Sequence, residues 1–112
     1  MEALFIVLNK TEKLDDLMVS FAEHGITGGT ILDSKGMAKY LYSEHQELPM
    51  FGSLYMLMND GRPMNKTIFM LLKKEKVETA KSIVKETLGD MNQENMGIMF
   101  TMPVSSVEGL TK

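Results

Sequence analysis

Ala3-Leu4-Phe5-Ile6-Val7-Leu8 is an unbroken apolar run, and its reading decides the fold. Six consecutive apolar side chains cannot alternate between core and water, and the run is too short for a regular helix. It therefore reads as a central strand with apolar residues on both faces. Thr67 to Leu72 is a second run of the same kind. Outward from the first strand, Thr11 is a candidate helix cap, and Leu14, Leu17, Met18, Phe21 and Ala22 follow at helical spacing until Gly25 stops the pattern. Ile26 to Asp33 then reads as a strand, with β-branched Ile26, Thr27, Thr30 and Ile31, and Gly28-Gly29 marking a bulge or close backbone approach.

After the Thr67 to Leu72 strand a second regular helix starts near Lys74 or Glu75. Its stripe is Val77, Ala80, Val84 and Leu88, with Ile83 beside it, and Gly89 ends it. Met96 to Val104 reads as the last strand, closed by Pro103, which cannot donate a ladder hydrogen bond. Between the second and third strands, about residues 34–65, lies a long insertion broken by Gly36, Pro49, Gly52, Asn59-Asp60-Gly61 and Pro63. Within it Phe51, Leu54, Tyr55 and Met58 favour a short helix, with a strand over Leu54 to Met58 as the alternative.

The order βαβ, insertion, βαβ predicts an α+β fold of the ferredoxin-like, split βαβ-βαβ type over the whole of residues 1–112. Its four-stranded antiparallel sheet carries both helices on one face. That architecture leaves the other face uncovered, and its residues are also apolar. A copy of the same chain is the expected cover, so a homo-oligomer is predicted.

Composition bounds the partners. With 12 basic and 15 acidic residues the net charge is -3, which gives no positive field for nucleic acid. Cysteine is absent, so disulfides, thiolate metal sites and thiol nucleophiles are excluded and a cytoplasmic location is expected. The longest nearly apolar stretch, Leu48 to Met58, is far below the roughly 20 residues of a spanning helix, so no membrane insertion is expected. Twelve methionines suggest soft core filling rather than a thioether metal site, and Met99 should face away from Met96 and Met102 on a strand. His24 and His45 have no ligand spacing between them and read as surface residues; no metal site is predicted. No nucleophile elbow, phosphate loop or paired-carboxylate constellation appears, so the chain is expected to bind and not to catalyse.

Gly25-Ile26-Thr27-Gly28-Gly29-Thr30-Ile31-Leu32-Asp33-Ser34-Lys35-Gly36-Met37-Ala38-Lys39 resembles the PII signalling proteins at the end of the first helix, the second strand and the start of the T-loop. There a Gly-x-x-Gly-x-Thr segment is followed by Lys-Gly and a basic residue. Lys13-Leu14-Asp15-Asp16-Leu17 is similar to the start of that family's first helix, and Met99-Phe100-Thr101-Met102-Pro103-Val104 to its final strand. The likeness covers nearly the whole chain except Tyr40 to Met64.

This resemblance implies a homotrimer that binds a small-molecule effector, an adenine nucleotide, in clefts between subunits and signals to a partner protein through the T-loop-like insertion. Some family members also bind 2-oxoglutarate with magnesium. Carried over by position, the implied ligand-binding residues are Gly28, Thr30, Gly36, Lys39 and Gly97. The family's Gly-Asp-Gly-Lys is Asn95-Met96-Gly97-Ile98 here, and its two arginines after Pro-Val are Gly109 and Thr111. A triphosphate needs several fixed cations, and the candidates are Lys35, Lys39 and Lys112. A less charged ligand, such as a monophosphate, cyclic dinucleotide or nucleoside, is easier to accommodate than ATP. The alternatives are a ligand-free structural trimer, or a metal-binding trimer similar to the divalent-cation tolerance proteins.

Overall fold

The computed structural model describes residues 1–45, 64–93 and 96–110. The residues of the expected Phe51–Met58 helix, and Lys112, lie outside them. The elements are β1 (Glu2–Leu8), α1 (Leu14–Glu23), β2 (Thr30–Ser34), α2 (Met37–Glu44), β3 (Asn65–Leu72), α3 (Lys74–Leu88) and β4 (Gly97–Pro103), with a short 3-10 turn over Thr11–Lys13 before α1. The fold is α+β, as the apolar runs predict, with one four-stranded antiparallel sheet in the order β2-β3-β1-β4.

β1 and β3, whose apolar runs are unbroken, occupy the two central positions. In register they set Leu4 against Met70, Ile6 against Ile68 and Phe5 against Phe69. Leu4, Ile6, Leu8, Ile68, Met70 and Leu72 project to one side, where they pack with Leu17 and Phe21 of α1 and Val77, Ala80, Ile83, Val84 and Leu88 of α3. Each fully buried side chain of this size stabilises the fold by about 1.5–3 kcal/mol.

α1 ends as its sequence dictates. Gly25 has φ +79°, the Gly25 N–H donates to the Ala22 carbonyl at 3.0 Å, and the Ile26 N–H donates to the Phe21 carbonyl at 2.9 Å. Buried Ile26 packs in the same core cluster as Phe21. This pair of bonds around a left-handed glycine is the Schellman arrangement.

Four sequence expectations change. Thr11 opens the 3-10 turn and provides no side-chain cap; α1 starts at Leu14. β2 starts at Thr30 and not at Ile26, because Ile26 is drawn into the core under α1 and carries the chain away from the sheet. The start of the insertion, expected to be irregular, holds α2. That helix buries no side chain, although Met37, Tyr40 and Leu41 fall at helical spacing and its residues include good helix formers such as Ala38, Leu41 and Glu44. Finally, Met96 sits in the helix-side core with Met99, not with Met102. Gly97, at φ +125°, breaks the strand alternation between them.

Among the described residues no long helix packs over the other face of the sheet. Phe5 stacks on Phe100, with centroids 4.9 Å apart and planes 6° apart, and lies 5.9 Å from Phe69. Around this ladder Ile98, Leu32, Met102 and Phe100 are 61%, 50%, 48% and 45% exposed.

Candidate functional site

β3 outruns its neighbour. β2 pairs with it only from Ser34, opposite Asn65, to Thr30, opposite Phe69, while β3 continues through Met70, Leu71 and Leu72. The Phe69 carbonyl oxygen lies 3.7 Å from where a Cβ on Gly29 would sit, so it faces the β2 side. Backbone alternation turns the Leu71 N–H and C=O to that same side, where no strand among the described residues accompanies them.

The space left by this missing pairing is a cavity of about 330 Å³, with Ile26, Gly28, Leu71, Lys73, Lys76 and Leu110 among its walls. Gly28 has room around it; a Cβ there would meet nothing within 4 Å. Lys73 directly follows β3, and Lys76 stands in the first turn of α3, whose Lys76 N–H donates to the Lys73 carbonyl at 2.8 Å. The Lys76 Nζ donates to the His24 carbonyl at 3.4 Å, across the end of α1. On the other side of residues 26–29 a second hollow of about 280 Å³ is apolar, walled by Met18, Phe21, Ile31 and Met70.

The five residues that resemblance singles out fall in three places. Gly28 lines the cavity and Thr30 lies two residues on, exposed and opposite Phe69. Gly36 precedes α2, beyond the far end of β2, with Asn65 Nδ2 3.9 Å from its virtual Cβ. Lys39 lies in α2, half-buried, its carbonyl accepting from Ser43 Oγ at 2.9 Å. Gly97 is on the opposite edge of the sheet, in the cross-strand row Asp33, Lys66, Leu8, Gly97. Three strand spacings of about 4.8 Å separate the ends of that row. One chain therefore brings together Gly28 and Thr30, and separately Gly36 and Lys39, but not all five.

Gly97 has a reason of its own. A Cβ there would lie 2.0 Å from the Val7 carbonyl oxygen, so only glycine fits against β1 at this point.

Sequence reading missed Lys73, Lys76 and the open edge at Leu71. The lysines look like ordinary helix-start charges, and the edge depends on where β2 stops. Among the described residues no group of three or more His, Asp or Glu gathers as a metal site. His24 is exposed, its Nδ1–H donating to the Ser20 carbonyl at 2.8 Å, while His45 is half-buried. No helix among the described residues is long and apolar enough to cross a membrane. No protein-family model matches the chain, and no curated protein matches its sequence.

Proposed function

We propose that this chain is a PII-like regulatory domain of the ferredoxin-like class, which assembles as a homotrimer and binds a small molecule beside the open edge of β3. The observation that carries the reading is the cavity at Leu71 and Gly28. The Leu71 N–H and C=O, which have no strand partner among the described residues, offer a donor and an acceptor side by side, the pattern that a planar heterocycle such as adenine complements. Gly28, with no side chain, leaves the edge open to a flat ring.

The trimer rests on the uncovered face. Ile98, Phe100, Met102 and Leu32 form a contiguous apolar surface around a phenylalanine ladder, which a monomer in water would leave wet. A site that used Gly28 and Thr30 together with Gly97 would have to be completed by a second copy, because one chain sets them on opposite edges. The ligand state would pass to a partner protein through residues 34–65, which leave the sheet where Ser34 faces Asn65. Such a ligand acts only through its differential affinity for two states of that segment. A cytoplasmic location accords with the lack of cysteine.

Calorimetry of the full chain with adenosine and its mono-, di- and triphosphates at up to millimolar concentration tests the ligand. Sedimentation tests the assembly. We expect binding by at least one adenine compound and a trimer mass; silence across the panel removes the nucleotide reading, and a monomer at micromolar concentration removes the trimer.

A further inference from the structure

We infer that the cavity beside β3 takes a small amphipathic acid, with one phosphate or carboxylate head held by Lys73 and Lys76 and a planar or apolar body held by the rest of the wall. The inference rests on the small-molecule reading above and adds the chemistry of the ligand.

The lining carries charge of one sign only. Lys73 and Lys76 are its charged side chains, and no acid lines it among the described residues. Apart from Thr27, the remaining wall is apolar or lacks a side chain, with Ile26, Leu72 and Leu110 among the former and Gly28 among the latter. Neither lysine is in an ion pair among the described residues. They flank the start of α3, Lys73 as its N-cap residue and Lys76 in its first turn.

Lys76 is exposed, and its ammonium makes one long contact to the end of α1. Its one described bond, to the His24 carbonyl, spans from α3 to the end of α1, and its Nζ lies 3.9 Å from the virtual Cβ of Gly25 at the cavity wall. Its other two N–H donors remain available to an oxyanion. Neither lysine belongs to the motifs that carry the PII resemblance.

Size and charge together limit the ligand. A volume of about 330 Å³ is at the low end for small-molecule pockets, and two lysines balance one phosphate, not three. The class is an acid of about nucleoside monophosphate size.

The test is calorimetry of the full chain with adenosine 5′-monophosphate, adenosine, phenyl phosphate and phenylacetate, on wild type, Lys73→Gln, Lys76→Gln and the double variant. The monophosphate is expected to bind at least about tenfold more tightly than adenosine, the usual advantage of charge-assisted hydrogen bonds. The double variant should reduce it to the affinity of adenosine, whose own binding stays unchanged. Each single variant should show part of the loss, which keeps the test decisive if the double variant folds poorly by far-UV circular dichroism.

Binding of phenyl phosphate without either adenine compound supports the acid seat and removes the nucleotide. Binding of phenylacetate alone assigns the head as a carboxylate. Equal affinity for adenosine and its monophosphate overturns the acid seat while leaving the nucleoside reading intact, and no binding by any of the four overturns both.

Discussion

The two faces of the sheet are built from the same strands and almost the same side chains, yet they meet different surroundings. On one, Leu4, Ile6, Leu8 and Ile68 are sealed under α1 and α3. On the other, Phe5, Phe69 and Phe100 form a stacked ladder with Leu32, Ile98 and Met102 open around it. Apolar content alone therefore does not say which face is interior to a single chain. What separates them is the handedness of the two crossovers, which puts both long helices on the same side. Among the described residues nothing is packed over the second face.

The sharpest way to break this comparison is at Gly97, where the alternation of β4 is set. Gly97→Ala forces a methyl group into the Val7 carbonyl at a positive φ. We expect a loss of about 4 kcal/mol in unfolding free energy by urea titration, or failure to fold. A loss under about 1 kcal/mol would mean that β4 joins β1 differently, and that Ile98, Phe100 and Met102 are not displayed as described.

A somewhat smaller effect is expected within the sealed face. Ile6→Ala should cost about 3 kcal/mol, the usual penalty for truncating a fully buried aliphatic residue, measured in the same titration.

The smallest effect on the fold is expected on the open face. Phe100→Asp should change the stability of the dissociated chain by less than about 1 kcal/mol yet convert the assembly to monomers by sedimentation. An unchanged mass would show that sister chains do not cover this surface.

Much of the architecture could be read from residues alone, and the exceptions share a cause. β1, β3 and α3 announce themselves because their burial is dictated by local pattern: unbroken apolar runs, or a stripe at helical spacing. Ile26 misleads because a β-branched residue suits a strand and a buried plug equally well; the Phe21 carbonyl that accepts its N–H decides between them. α2 is faint because its stripe, Met37, Tyr40 and Leu41, spans barely two turns and follows the turn residue Gly36.

The candidate site was less legible for the same reason. Gly28 and Thr30 stand out through their motif, and the Val7 carbonyl gives Gly97 a purely steric role. Lys73 and Lys76, by contrast, acquire meaning only when Ile26–Gly29 leave the sheet and a hollow opens in front of them.

The foot of the insertion also bears on how the chain can be engineered. Ser34 and Asn65 face each other as the last pair of β2 and β3, and Ser34 Oγ bonds both Asn65 Oδ1 and, at 2.7 Å, Thr67 Oγ1. The two strands thus form an antiparallel mouth already fastened by its own side chains. Loop-closure entropy grows by only about 0.6 kcal/mol for each doubling of length, so segments of many sizes can be spliced into that mouth without unzipping the sheet. The domain is in this sense a ready scaffold for displaying foreign loops.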